Sequence, residues 1–187
     1  MLRFALRAVA VATAVALAGA TTLADDSTIK VKVGDKFPVV PLEAAQIEKL
    51  NLKDAKTVSI ADLKGKTVVI FFYPKALTPG CTTESCGFRD ALKAEGFPKD
   101  VVILGASADD VPLQQKFIEK EKLTFPLLAD KEMKLTKELG VVSPKNAKVT
   151  QRVTFVIDKE GKIAKIYDKV DPPKHPAEVV EFLKTLK

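Results

Sequence analysis

The only two cysteines of this 187-residue chain stand in surroundings that point to thiol chemistry. An apolar run ends at Tyr73, a short Pro/Thr/Gly segment follows, and Cys81 comes where the sequence predicts the first turn of a helix. With Thr78 as N-cap, Pro79 takes the first helical position and Cys81 the third. Free N–H groups and the positive end of the helix dipole then favour the thiolate, which is the nucleophilic form. We therefore predict a reactive thiol at Cys81.

The second cysteine, Cys86, follows five residues later. Within a helix, five residues advance about 7.5 Å and turn about 140°, whereas a disulfide needs Cα atoms within roughly 7 Å and converging Cβ atoms. The two cysteines should therefore stay unbonded while the helix is intact. A bond that requires unwinding suits a redox switch better than a structural crosslink. A structural disulfide is the plain alternative, although a bridge over so short a loop would stabilise the protein little.

Apolar runs and helical patterns alternate along the rest of the chain. Strands are predicted at 68–73, 101–106, 125–128, 153–157 and 163–167. Helices are predicted at 78–95 (ended by Gly96), 111–122, 133–139 and 177–186. Parallel β-α-β units followed by an antiparallel pair and a closing helix predict an α/β, thioredoxin-like fold with a central mixed sheet flanked by helices.

The segment before this pattern is less regular. Residues 37–42 carry two prolines and predict a short edge strand, since proline suits an edge better than a sheet centre. Residues 43–64 are rich in charged residues, with a sequence compatible with a helix at the start and a further short strand predicted at 57–60.

Residues 1–24 have the layout of a secretory signal peptide, with two arginines, a short apolar run at 8–18 and small residues before Ala24. The apolar run is too short for a transmembrane helix, which needs about 20 residues. We expect cleavage after Ala24 and export to the periplasm or another extracytoplasmic compartment of a bacterium. The mature protein should then have no stable membrane insertion and form one domain over 25–187.

The net charge of +6 is spread over the chain as lysines interleaved with acidic residues. There is no arginine cluster and little aromatic interleaving. This pattern indicates a solvated surface and argues against a nucleic-acid partner.

The residues around Cys81 resemble the active site of the peroxiredoxins. The spacing Pro74-x-x-x-Thr78-x-x-Cys81 resembles the signature of that family. The longer stretch, with Glu84, Cys86 and Phe-Arg-Asp at 88–90, is similar to the peroxiredoxin Q subfamily, also called bacterioferritin comigratory protein. The likeness runs from about residue 31 to the C-terminus. It implies a thioredoxin-like fold, a monomer, no cofactor, and a thioredoxin-dependent peroxidase acting on hydrogen peroxide and organic hydroperoxides.

The resemblance also implies a role for each site residue. Cys81 is then the peroxidatic cysteine, which attacks the peroxide and becomes a sulfenic acid. Cys86 is the resolving cysteine, which forms an intramolecular disulfide that a thioredoxin-like dithiol protein reduces. Thr78 would hydrogen-bond the peroxide or the thiolate, and Arg152 would hold its charge against both. Pro74 would shape the pocket wall and shield the sulfur.

We make further predictions for the residues near Cys81. An ion pair between Glu84 and Arg89 at the helix start is an open hypothesis, and Phe88 is predicted in the core. Residues 75–77 read Lys-Ala-Leu where the subfamily commonly has a more polar run. This departure predicts a more apolar pocket rim and tolerance of organic hydroperoxides.

Two other functions stay open. A thiol–disulfide exchange protein would share the fold, but it uses Cys-x-x-Cys spacing. A copper carrier of the Sco type uses Cys-x-x-x-Cys and a downstream histidine. Zinc needs about four ligands, whereas this chain has two cysteines and the single histidine His175. Because His175 lies in a proline-rich stretch, we predict it to be solvated in a surface loop, and we predict no bound metal.

Overall fold

The computed structural model describes residues 29–94 and 97–186, so the predicted signal segment and Gly96 lie outside the described residues. The strands are β1 Leu42–Ala45, β2 Thr57–Val58, β3 Thr67–Phe72, β4 Val101–Ser107, β5 Leu127–Ala129, β6 Val153–Ile157 and β7 Ile163–Tyr167. The α-helices are α1 Pro79–Lys93, α2 Val111–Glu121, α3 Lys134–Leu139 and α4 His175–Leu183. Two short 3₁₀ helices span Ile47–Leu50 and Ile60–Leu63.

One mixed sheet contains all of these strands, in the order β2-β1-β5-β4-β3-β6-β7. The central strands β3, β4 and β5 are parallel. The outer strands join antiparallel. The predicted mixed sheet is therefore confirmed, and every strand predicted from residue 68 onwards is present within one or two residues of its expected position.

Helices cover both faces of the sheet. Val69 and Phe71 of β3 join an apolar cluster with α1, α2 and α4. The even-numbered side chains of β3 pack with α3 and with Phe37 of the N-terminal segment. All six residues of β3 are buried, because successive side chains enter opposite layers. Phe88 is fully buried as predicted and stacks on Phe71, with ring centroids 4.7 Å apart. No helix of the described residues is long and apolar enough to cross a bilayer.

The segment before β3 differs from the prediction. The predicted strand at 37–42 is wrong, since pairing begins only at Leu42 and β1 lies between β2 and β5 instead of at an edge. Pro38 and Pro41 precede the paired residues because proline has no N–H for the ladder. Residues 43–64 form no α-helix, and the strand expected at 57–60 contains only 57–58.

The topology brings distant residues to one edge of the sheet. Strands β3 and β6 are antiparallel, with Phe72 opposite Val153, so the end of β3 meets the start of β6. The chain leaves β3 through Tyr73 and soon enters α1, and Arg152 immediately precedes β6. The hydroxyl of Thr150 donates to the carbonyl of Tyr73 at 2.7 Å and ties the two segments together. The start of α1 and Arg152 are therefore neighbours.

Candidate active site

Cys81 occupies the third position of α1, as predicted. Thr78 is the N-cap residue, with extended backbone angles, and Pro79 takes the first helical position. The first backbone hydrogen bond of the helix runs from the N–H of Thr82 to the carbonyl of Thr78 at 2.9 Å. Cys81 is only 1% exposed. The thiol thus lies buried in the first turn, where helix N–H groups favour negative charge.

The hydroxyl of Thr78 does not cap the helix. It donates to the carbonyl of Lys75 at 2.9 Å, within the loop that precedes α1. A hydroxyl has one proton, so in this arrangement Thr78 directs no donor at Cys81. The side chain stabilises the loop, and its predicted hydrogen bond to a peroxide or thiolate would need a rotated hydroxyl.

A carboxylate behind the site holds this loop in place. Asp109, just beyond β4, accepts the backbone N–H of Ala76 at 2.7 Å and the hydroxyl of Ser107 at 2.9 Å. Leu77 follows with a positive φ of 63°, which turns the chain towards α1. Pro74 is half-buried at the head of the loop, and its role as a pocket wall stays a prediction.

Arg152 joins two groups of α1. Its Nη2 donates to the sulfur of Cys81 at 3.2 Å, and its Nη1 donates to the carboxylate of Glu84. Glu84 is fully buried, and Arg152 retains some exposure. A guanidinium this close to sulfur stabilises negative charge on it. The structure therefore places Arg152, as predicted, next to Cys81.

Glu84 is the site residue whose role the sequence did not reveal. The predicted pair with Arg89 is wrong, because Glu84 binds Arg152 while Arg89 pairs with Asp90. Glu84 stands three residues after Cys81, a spacing that puts both on one face of α1. That spacing is the available signal, but it could not show that the cation paired with Glu84 is Arg152, from the segment before β6.

Burial raises the pKa of Glu84 to about 7, and Arg152 acts in the opposite direction. One carboxylate oxygen, Oε2, accepts a hydrogen bond from the guanidinium of Arg152. The other, Oε1, is buried with no hydrogen-bond partner in the described part of the chain. Desolvation of a half-satisfied carboxylate disfavours its charged form. Glu84 therefore titrates near neutral pH, and it directly contacts Arg152, which also donates to the sulfur of Cys81.

Cys86 lies on the same helix, half-buried, and both cysteines are free thiols in a continuous α1. The expectation that they stay unbonded in an intact helix is confirmed. The sulfur of Cys86 faces α2, with Glu121 Oε2 at 3.8 Å. Burial raises the pKa of Cys86, and Glu121 adds to this effect while Arg89 opposes it.

The prediction that His175 is a solvated loop residue is wrong. His175 begins α4, is fully buried, and has Nε2 2.8 Å from the hydroxyl of Thr154. Its ring packs edge-on against Phe88 and Tyr167. Burial lowers its pKa to about 4, with Arg152 acting in the same direction. A neutral, buried imidazole that contacts Thr154 supports the core beneath α1 and is not paired with a cysteine.

Gly80 lies beside the guanidinium of Arg152. A Cβ atom on Gly80 would lie 3.4 Å from Nη2 of Arg152 and 3.8 Å from Cγ of Pro172. These are ordinary van der Waals separations, so the backbone of Gly80 lies close to the guanidinium that contacts Cys81. Within residues 29–94 and 97–186, no group of three or more His, Cys, Asp and Glu residues could hold a metal ion.

The family model described as AhpC/TSA family matches residues 33–166. The matched region includes both cysteines, Glu84 and Arg152.

Curated relatives match nearly the whole described chain. A protein named putative peroxiredoxin bcp, from Coxiella burnetii, is 41% identical over 157 residues, which cover 81% of this chain and 98% of the relative. Peroxiredoxin Bcp of Bacillus subtilis is 40% identical over 162 residues, with 83% and 97% covered. The chain is thus similar over its length to proteins of the Bcp type.

Solved structures of related proteins show the same similarity. The structure of a cysteine-to-serine variant of Xylella fastidiosa PrxQ superposes with a TM-score of 0.72 at 27% identity, over 83% of this chain and 96% of the other. The bacterioferritin comigratory protein of Xanthomonas campestris gives a TM-score of 0.69 at 28% identity, over 84% and 98%. The predicted thioredoxin-like fold and the resemblance to peroxiredoxin Q are confirmed.

The titration of Glu84 should appear in the stability of the protein. Its pKa rises from 4.5 to about 7 on folding, so the folded state binds the extra proton between these values and stability falls as pH rises through that window. Glu84→Gln cannot ionise there. We expect wild type to lose about 2–4 kcal/mol relative to this variant between pH 4.5 and 8, measured by urea unfolding. Glu119→Gln, at an exposed position of α2, is the control. If the free energies of unfolding of wild type and Glu84→Gln differed by the same amount at every pH, the expectation would be contradicted.

Proposed function

The chain belongs to the AhpC/TSA family and is a thiol-dependent peroxidase, and we propose that it reduces hydroperoxides through Cys81 and Cys86 in turn. In this cycle Cys81 becomes a sulfenic acid, Cys86 converts it to an intramolecular disulfide, and a thioredoxin-like dithiol restores both thiols. One contact carries the proposal, namely the 3.2 Å approach of Arg152 Nη2 to the sulfur of Cys81 in the first turn of α1.

The first step is attack of the Cys81 thiolate on the terminal oxygen of the peroxide. An S–O bond forms, the O–O bond breaks, and the leaving oxygen takes a proton to become water or an alcohol. Arg152 faces the sulfur, and Gly80 lies beside the same guanidinium. The negative charge that moves from sulfur to the leaving oxygen therefore stays beside a fixed cation, which lowers the barrier without reorganisation of the site.

Glu84 would orient this cation. Its carboxylate and the sulfur of Cys81 bind different nitrogens of Arg152, so the planar guanidinium is held at two points. Such a clamp keeps the donor directed at the reacting atoms, whereas a lysine would offer a point charge without a fixed plane.

The second step joins Cys86 to the sulfenic acid of Cys81. The sulfur of Cys86 attacks the oxidised sulfur, the S–O bond breaks, and water leaves. Both residues belong to α1, five positions apart, so the helix must unwind locally before the sulfurs meet. Because both thiols are on one chain, the cycle needs no second subunit, which supports a monomer.

The third step needs an external dithiol. It attacks the disulfide, passes through a mixed disulfide and releases both cysteines as thiols. In the intact helix Cys86 is half-buried and Cys81 is almost completely buried. The sulfur of Cys86 is therefore the more accessible of the two.

Cysteine replacements test the cycle. We expect Cys81→Ser to lose peroxide consumption to the uncatalysed background in an assay with hydrogen peroxide and a dithiol. Cys86→Ser should form a sulfenate at Cys81, detected with a sulfenic-acid probe, but should recycle poorly unless a small thiol is added. Full activity of Cys81→Ser would overturn the proposal, and turnover of protein disulfides without peroxide consumption by wild type would favour an exchange protein.

The loop before α1 supports activity on organic hydroperoxides. Leu77 is one of three large apolar side chains with notable exposure in the described residues, and it stands four positions before Cys81. The Xanthomonas campestris relative is described in connection with alkyl peroxide reduction. An apolar side chain at the rim would bind the organic part of a hydroperoxide and leave hydrogen peroxide unaffected.

Replacing this side chain tests substrate range. Asparagine tolerates the positive φ of residue 77, so Leu77→Asn removes apolar surface without new backbone strain. We expect the ratio of kcat/KM for cumene hydroperoxide to that for hydrogen peroxide to fall about 3-fold or more. Val39→Asn, an exposed apolar residue at 61% exposure, is the matched control. An unchanged ratio in Leu77→Asn would remove Leu77 from the substrate site.

Export stays a proposal that rests on the pattern of residues 1–24. A chain expressed with its own N-terminus in a bacterium should be recovered outside the cytoplasm beginning at Asp25, as shown by mass spectrometry of the N-terminal peptide. Recovery of the full-length chain in the cytoplasm would contradict export.

A further inference from the structure

Cys86 has a charged neighbour to which the peroxidase cycle assigns no role. Glu121 is the last residue of α2, and its Oε2 lies 3.8 Å from the sulfur of Cys86, with the thiol as donor. The backbone carbonyl of Glu121 accepts a hydrogen bond from Nη1 of Arg89 at 2.5 Å. Since Arg89 follows Cys86 by three positions, both contacts come from the same face of α1.

We propose that Glu121 is a positioning residue for the resolving thiol: it holds Cys86 as a neutral thiol against the end of α2 while α1 is intact, and releases it when α1 unwinds. The inference rests on the proposed roles of Cys81 and Cys86. It extends them by coupling the reactivity of Cys86 to the movement that delivers it.

The charges around Cys86 determine the direction of this effect. Asp90 and Arg89 face it from α1, and Glu121 faces it from α2. Arg89 favours the thiolate, but its guanidinium makes two hydrogen bonds to the carboxylate of Asp90. Burial and the two carboxylates together raise the pKa of Cys86. In the intact helix these groups therefore favour the protonated form of the Cys86 thiol.

Unwinding changes this environment. Glu121 lies 35 residues further along the chain, so its carboxylate stays on α2 when the turn of Cys86 moves away. The displaced thiol enters water and loses its proton more readily, because both the burial and the like charge of Glu121 are removed. The thiolate then attacks the sulfur of the Cys81 sulfenic acid, the S–O bond breaks, and the released hydroxide takes a proton to leave as water.

The two thiols differ in their electrostatic environment before peroxide binds. Arg152 stabilises negative charge at Cys81, whereas a carboxylate faces Cys86. Two thiols on one helix therefore have opposite electrostatic environments. In the folded state Cys81 contacts a cation, whereas Cys86 becomes nucleophilic after the helix opens.

The test measures Cys86 directly in a Cys81→Ser background, where it is the only thiol. The rate of alkylation by iodoacetamide is recorded from pH 6 to 10 for this protein, for Glu121→Gln in the same background, and for the matched control Glu119→Gln. Glu119 is exposed on α2 and accepts a hydrogen bond from Gln115. The control removes the same charge from the same helix without touching Cys86.

We expect Glu121→Gln to raise the alkylation rate near pH 8 by about 3- to 10-fold and to shift the pH profile to lower pH, because a nearby like charge disfavours the thiolate. Glu119→Gln should not shift it. In concentrated urea the proteins should give coincident profiles, since the contact with α2 is then lost. An unshifted profile for Glu121→Gln, or a shift of the same size in Glu119→Gln, would overturn the proposal, as would a difference that persists in urea.

This readout does not depend on peroxidase turnover. If Cys81→Ser retained full peroxidase activity, the proposed function would fail while the alkylation result stood. If the cycle were correct and the profile of Glu121→Gln did not move, only the role of Glu121 would fail.

Discussion

The guanidinium of Arg152 is the group on which the site depends. It reaches the sulfur of Cys81 with one nitrogen and the buried carboxylate of Glu84 with the other. Without it, α1 would bury the carboxylate of Glu84 with no counter-charge, which costs several kcal/mol. The helix start supplies aligned N–H groups, but the cation comes from the segment before β6. The reactive centre is therefore shared by two parts of the chain that only the antiparallel pairing of β3 and β6 brings together.

The proposed cycle places two opposing requirements on α1. An intact first turn holds Cys81 beside Arg152, whereas bonding to Cys86 requires that turn to open. The residue after Cys86 is Gly87, and a glycine inside a helix costs roughly 1 kcal/mol relative to alanine. A Cβ atom there would lie 2.6 Å from Cγ of Pro176 at the start of α4. Close packing of α4 thus requires the glycine, and the glycine in turn makes this part of α1 easier to unwind.

The sequence predicted the parts of this protein that have local causes. Buried strands such as 68–73 are continuous apolar runs, and the position of Cys81 follows from Thr78-Pro79-Gly80 at a helix start. It failed where the cause is tertiary. His175 looks like a surface histidine because its neighbours are prolines, but α4 begins there and packs under α1. The strand before residue 45 was misplaced because its pairing with β5 cannot be read from local pattern.

The sequence by itself determined the place of Cys81 in the first turn of α1 and the separation of the two cysteines along that helix, because these follow from backbone geometry over a few residues. Only the tertiary structure decided which charges each thiol meets. Arg152 lies 71 positions from Cys81, and Glu121 lies 35 positions from Cys86. Electrostatic interactions act over a few ångströms in space whatever the distance along the chain. The folded sheet and its helices therefore give two cysteines of one helix opposite environments.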